Sequence, residues 1–118
     1  MTITNLLRAL FYCAVAAVVY VSLLPSEALV PTVFWDKLEH AAAYCVLGIL
    51  GYAAYRNPTH RLPVAIGLVA LGAALELAQT QVPGRAGDLA DAFANSVGVA
   101  LALGADQTLR RLTTRTTV

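Results

Sequence analysis

The sequence predicts an all-α fold, a four-transmembrane-helix bundle with both termini cytoplasmic, and three observations carry that expectation. Apolar residues make up 58% of the 118 residues and charged residues only 13%, where a soluble domain carries about 25% charged residues. A soluble chain this short has too little interior to hide so much apolar surface. A mean hydropathy of +0.68 therefore points to a bilayer as the solvent. The apolar residues also fall into four runs parted by proline- and glycine-bearing breaks, and arginine collects on alternate breaks.

The first helix, expected at about 6–24, rests on the uncharged run Ala9–Leu24, extended to Leu6 across Arg8. The second, about 37–55, follows a burst of ionisable groups (Asp36, Lys37, Glu39, His40) with the uncharged run Ala41–Tyr55. The third, about 62–82, runs from Leu62 through Glu76 to Val82. The fourth, about 89–109, is built on Ala92–Ala105, with Asp88 and Asp91 before it and Asp106 after. A spanning helix needs roughly 20 residues, and every uncharged run is shorter. Each therefore reaches spanning length by drawing its polar flank into the membrane boundary. The breaks "LPSEALVP", "RNPTHRLP" and "VPGRAGD" carry prolines, which remove a backbone donor and disfavour helix in the preceding residue. The four runs form one domain over residues 1–118 without an internal repeat, ending in a polar, frayed "TTRTTV". Ser26–Ala28 has the small-residue spacing of a signal-peptide cleavage site. With Arg8 as the whole positive n-region and a long apolar stretch behind it, the segment reads as a retained helix.

Charge sets the orientation. In a four-span arrangement Arg8, Arg56, Arg61, Arg110, Arg111 and Arg115 share one side with Asp106 as the one acid. The other side holds Glu27, Asp36, Glu39, Glu76, Asp88 and Asp91 against Lys37 and Arg85. The positive-inside rule then places both termini in the cytoplasm and the first and third loops outside, as expected of a multi-pass protein of a bacterial inner (cytoplasmic) membrane. A net charge of +1 with scattered arginines gives no basis for nucleic-acid binding. Cys13 and Cys45 lie inside apolar runs and fit neither a metal knuckle nor a disulfide framework, so they are expected as small buried hydrophobes.

The polar residues of the outward side fall on helix faces. Asp36, His40 and Tyr44 are spaced i, i+4, i+8; Glu76 and Gln79 are three apart; Asp88, Asp91 and Asn95 are spaced i, i+3, i+7. Three helices thus present polar stripes that can converge. Glu76 lies six residues inside Val82, roughly 9 Å from that helix end. An acid at such depth is expensive and faces a bundle interior or a water-filled cavity. Asp88 is placed to cap the fourth helix, and "PGRAG" reads as a tight turn. Tyr12, Tyr20, Trp35, Tyr52 and Tyr55 are expected as interfacial anchors. Gly48, Gly51, Gly67, Gly72, Gly98 and Gly104 are expected where helices approach closely.

The segments "DKLEHAAAYCVLG", "LELAQ" and "VPGRAGDLADAFANSVG", in that order, resemble the VanZ-like family, small bacterial membrane proteins named for a teicoplanin-resistance factor. The resemblance covers about residues 20–105, and the family pattern marks Asp36, Lys37, His40, Tyr44, Glu76, Gln79, Pro83, Gly84, Arg85, Asp91, Asn95 and Gly98. It implies an envelope role, with glycopeptide resistance in some members, and supplies no reaction.

On the residues themselves, three chemistries are open. His40, Glu76 and Asp91 are candidate acid–base groups acting on a lipid head group, with Arg85 and Lys37 holding its phosphate. Asp36, Tyr44, Gln79 and Asn95 are candidate ligand-binding neighbours. No strong nucleophile is present, since Ser26 is in a break and Ser96 points about 100° from Asn95, so hydrolysis would require activated water. Alternatively His40, Glu76 and Asp91 hold a divalent metal, because imidazole and carboxylate suit zinc or manganese. The third possibility is that the charges neutralise one another and Gln79 and Asn95 bond across helices as interhelical glue. The functional expectation is an envelope membrane protein whose outward polar pocket binds or modifies a lipid-linked or amphiphilic ligand among membrane lipids. Its alternatives are a non-catalytic subunit or stabiliser of a larger membrane complex and, more distantly, an oligomeric carrier.

Overall fold

The computed structural model describes residues 1–25 and 33–116, with the backbone alone at 33–35. Every regular element among them is helical: α1 (Ile3–Ser22), α2 (Val33–Ala54), a single 3-10 turn (Pro58–His60), α3 (Arg61–Gln79) and α4 (Leu89–Thr116). Ser26–Ala28, with Glu27, lies outside the described residues, as does the Trp35 side chain.

Four helices stand where four were expected, and their ends differ for local reasons. α1 starts at Ile3 because the Thr2 hydroxyl accepts from the Asn5 backbone N–H at 3.2 Å, a side-chain cap. α3 stops at Gln79, three residues early, as the chain turns through bonds from Thr80 N–H to Leu77 O and from Val82 N–H to Gln79 O. Gly84 follows at φ 75°, a left-handed conformation that favours glycine. Asp88 then caps α4: its Oδ1 accepts from Ala90 N–H at 2.9 Å. α4 runs seven residues past its expected end, to Thr116. At 28 residues it is about 42 Å long.

Helices α1 and α3 differ in kind from α2 and α4. Ile3–Ser22, and Pro58–Gln79 with its leading 3-10 turn, are long and apolar enough to cross a membrane. α2 and α4 pack most extensively against each other and carry the polar residues. On α4 the buried set is Asp91, Ala94, Asn95, Gly98, Val99 and Ala102, a stripe at heptad-like spacing. It meets Tyr44, Leu47 and Tyr52 of α2. The two backbones approach closely: a Cβ on Gly98 would stand 2.9 Å from Cys45 N and closer still to the Ala41 carbonyl oxygen, and one on Gly48 would stand 2.6 Å from Ala102 Cβ. Gly67 and Gly104 have nothing within 4 Å of such a Cβ, so they are not packing glycines. Tyr52 is buried in the core at 1% exposure and is not an interfacial anchor. Cys13 is exposed and Cys45 half-buried, so neither is the fully buried hydrophobe expected.

The bundle is apolar outside. Ile66, Leu77, Phe93 and Leu101 are all more than half exposed, while Glu76, Gln79, Asp91 and Asn95 are buried. Its two ends also differ. At one, Arg61 and Arg110 both pair with Asp106, at 2.9 and 3.0 Å, and Arg110 donates to the Arg56 carbonyl at 2.6 Å. There Arg8 lies 5.0 Å from the Tyr55 ring centre, and the Tyr12 and Tyr55 hydroxyls are 2.5 Å apart. The acids gather at the other end.

Candidate functional site

The first turns of α2, the end of α3, the start of α4 and the end of α1 meet at the acidic end. Lys37 is the hub of the exposed part. Its ammonium donates to Asp88 Oδ2 at 2.8 Å and to Asp91 Oδ1, and lies 3.8 Å from Asp36 Oδ2. The ammonium, with the Ala90 N–H, holds the Asp88 carboxyl below the usual carboxylate range.

His40, one turn further along α2, is fixed by α4. Its Nδ1 is 2.8 Å from Asn95 Oδ1. An amide oxygen only accepts, so Nδ1 donates this bond and Nε2 points away from Asn95. Nε2 lies 3.7 Å from Asp36 Oδ1 and 3.8 Å from Asp91 Oδ2. The two carboxylates are thus divided: one oxygen of each turns to Lys37 and the other to His40 Nε2. Asp91 is buried, while the Asp36 side chain is 45% exposed, so the corner opens on the Asp36 side. Asp36, His40 and Asp91 each offer a ligand atom within 4.8 Å of the others.

Glu76 is placed differently from the expectation. α3 ends at Gln79, so Glu76 is three residues from the helix end, shallower than the six-residue depth read from the sequence. Its Oε2 accepts from the Asp88 backbone N–H at 3.0 Å, tying the α3–α4 loop to α3. Gly87 makes this possible, because a Cβ there would stand 2.7 Å from the Glu76 carbonyl oxygen. Glu76 remains within electrostatic reach of His40 and Asp91, while the three residues whose ligand atoms lie within 4.8 Å of one another are Asp36, His40 and Asp91.

Gln79 and Arg85 both serve the end of α1. Gln79 Nε2 donates to the Ser22 carbonyl at 2.9 Å. Arg85 donates through Nε to the Leu24 carbonyl at 2.8 Å and through Nη2 to Val21 at 3.1 Å. Ser22 and Leu24 lie at the helix end, where carbonyls lack intrahelical donors, and Val21 accepts from both Leu24 N–H at 3.3 Å and Arg85, so Arg85 caps a helix instead of standing as a free phosphate clamp. The backbone partners carried no signal in the sequence, since any residue supplies a carbonyl. Tyr44 is 2% exposed, and its hydroxyl has no hydrogen-bond partner among the described residues. Ser96 donates to the Ala92 carbonyl and takes no part in the cluster. A separate cavity of about 230 Å³ lies at the opposite, basic end, lined by Arg61, Gln107, Arg110, Arg111 and Thr114.

This arrangement separates two groups of residues. Lys37, Glu76, Gln79 and Arg85 have their polar atoms committed to neighbouring helices. Asp36, His40 and Asp91 each keep one donor atom facing a shared space. Comparison with protein-family models, with curated proteins and with solved structures finds no match for the chain.

Proposed function

We propose that this chain is a VanZ-like, four-span protein of a bacterial inner membrane, with both termini cytoplasmic, that binds or modifies an amphiphilic or lipid-linked ligand at its outward acidic end. The observation that carries the reading is the corner formed by Asp36, His40 and Asp91, charged and open, beside apolar side chains that face outward. Leu38 on α2 and Phe93 on α4 are exposed at 48% and 72%, within a turn of those residues. A ligand with a polar head and an apolar body matches that pairing of surfaces.

The four-span arrangement has its own support. α2 and α4 carry more polar residues than α1 and α3, but they turn Asp91 and Asn95 inward and leave apolar residues outside, as a lipid-facing bundle requires. The arginine end and the acidic end then lie at opposite membrane faces, matching the positive-inside rule. In some settings the consequence of ligand binding would be altered glycopeptide susceptibility.

A second reading is favoured by the committed bonds of Lys37, Glu76, Gln79 and Arg85. In it the cluster is interhelical glue, and the protein is a stabiliser or subunit of an envelope complex. One experiment separates the two. Envelope lipids and wall precursors are compared by mass spectrometry in a deletion strain carrying wild type, His40→Gln or Glu76→Gln at matched protein level. The ligand reading expects a species that wild type clears and His40→Gln does not. Identical profiles for wild type and His40→Gln refute it. Loss of membrane abundance in both variants supports the glue.

A further inference from the structure

We propose that Asp36, His40 and Asp91 form a binding site for one divalent cation that accepts mixed nitrogen and oxygen ligands, of the Zn²⁺ or Mn²⁺ kind. This deepens the ligand-binding reading above and rests on it for its biological meaning, though the cation site itself stands on geometry.

The donor set is one imidazole nitrogen and two carboxylate oxygens, a combination that suits these ions. Metal–ligand bonds of about 2.0–2.2 Å place neighbouring ligand atoms roughly 3.0–3.6 Å apart. His40 Nε2 stands 3.7 Å from Asp36 Oδ1 and 3.8 Å from Asp91 Oδ2, and all three ligand atoms lie within 4.8 Å of one another, so side-chain adjustment on the order of 1 Å or less closes the set. Asn95 Oδ1 accepts from Nδ1, which leaves Nε2 on the carboxylate side, the outer-shell arrangement typical of metal-bound histidine. Lys37 does not compete for these atoms, because it contacts Asp36 Oδ2 and Asp91 Oδ1, the other oxygen of each carboxylate.

Two further observations point to an additional ligand. Around Lys37 and His40, three carboxyl groups, those of Asp36, Asp88 and Asp91, surround a single ammonium. One turn below His40, Tyr44 keeps a hydroxyl that is buried and unpartnered among the described residues. Helical side chains lean towards the N-terminus, so the ring leans towards the His40 turn. It also touches the same small space as Asn95: a Cβ on Gly72 would lie 3.3 Å from Tyr44 Cε1 and 3.0 Å from Asn95 Nδ2. The opposite side is open past Asp36, leaving coordination positions for a phosphate, carboxylate or hydroxyl of a bound head group, as in sites that keep a vacant position. The cation would offset the acids and let this corner accept an anionic head.

The test uses the purified full chain in detergent micelles, titrated with Mn²⁺ and followed by electron paramagnetic resonance. The free-ion signal should disappear up to one Mn²⁺ per chain, and pulsed measurements should show coupling to an imidazole nitrogen. His40→Gln should abolish that coupling. Asp36→Asn, at a half-exposed position, should weaken binding on the order of tenfold or more. Glu39→Gln, an exposed acid outside the site, should leave binding unchanged. Failure to saturate at one ion, absence of nitrogen coupling in wild type, or equal weakening in Asp36→Asn and Glu39→Gln overturns the site. If Mn²⁺ does not bind yet His40→Gln still fails to clear the accumulating species, the ligand reading stands and the cation site falls. If Mn²⁺ binds as described while wild type and His40→Gln give identical profiles, the cation site stands and the ligand reading falls.

Discussion

Replacing Gly98 with alanine tests the α2–α4 contact on which the whole acidic end depends. The added methyl would stand 2.9 Å from Cys45 N and 3.0 Å from the Ala41 carbonyl carbon, and nearer still to the Ala41 oxygen. Carbon contacts are comfortable at roughly 3.5–4.0 Å, so the overlap exceeds about 0.5 Å with backbone atoms that no rotamer change can move. The helices must part at that level. His40 precedes Ala41, and Asn95 lies one turn before Gly98, so the 2.8 Å His40–Asn95 bond should lengthen with them. Gly104→Ala, in the same helix with nothing within 4 Å, is the matched control. Both changes gain about 1 kcal/mol of helix propensity, which cancels in the comparison. The remaining difference is the overpacking cost, about 1–3 kcal/mol and near the upper end because the obstacle is backbone. In a chain of this size that corresponds to a Tm difference on the order of 5 °C or more, read by thermal unfolding of the two variants in one detergent. Equal Tm values for Gly98→Ala and Gly104→Ala would refute the close approach and, with it, the geometry assigned to His40 and Asn95.

Other consequences are as direct. Arg85→Gln removes two charge-assisted bonds to the end of α1 and should lower stability by roughly 1–3 kcal/mol. Arg85→Lys should recover only part of it, because an ammonium lacks the guanidinium fork; Tm in detergent reads both. Lys37→Met leaves the buried Asp91 without its ammonium and should reduce membrane abundance more than Glu39→Gln does, measured by immunoblot against a constant membrane marker. The Asp88 carboxyl is held low in the folded protein, so its ion pair and cap stabilise fully above the unfolded value, about 3.9, and are lost as pH falls through the lower folded value. The stability gap between wild type and Asp88→Asn should therefore be open at neutral pH and close in strong acid; a gap that persists there contradicts the ion pair. With Cys13 and Cys45 replaced by alanine, Ala86→Cys should react with a membrane-impermeant thiol reagent in intact cells, and Thr59→Cys only after lysis. The reverse pattern would invert the four-span topology.

The helices were legible because apolar runs and proline breaks are properties of the chain alone. Their ends were less so. The stop at Gln79 depends on turn bonds from Thr80 and Val82 and on the later Glu76–Asp88 contact, none of which a hydropathy run records. The depth assigned to Glu76 inherited that error, since it was counted from Val82. Glycine was legible as a type but not by position. Gly48 and Gly98 sit where α2 and α4 touch, while Gly67 and Gly104 face open space, and only the rotation of each helix about its axis distinguishes them.

The same rotation explains why the cluster was foreseen as a set and misread in its parts. Spacing fixes which residues of one helix share a face, so Asp36 with His40, and Asp91 with Asn95, were paired correctly. It does not fix which face of α3 meets them. α3 turns Glu76 and Gln79 towards the loop and the end of α1, where backbone N–H and C=O groups need partners, and this leaves Glu76 outside the close set of Asp36, His40 and Asp91. Unpartnered backbone groups at a helix end or in a tight loop cost free energy whatever the side chains do. The buried polar residues nearest to those ends were therefore drawn to them first. What was left for chemistry comes from α2, which supplies Asp36 and His40, and α4, which supplies Asp91 with Asn95 behind it; Asp36 and Asp91 also lie in first turns, but their carboxylates face Lys37 and His40. A search of similar bundles for function would accordingly discount polar residues bonded to backbone groups at a helix end, and weigh those whose second oxygen or nitrogen still points at another ionisable group.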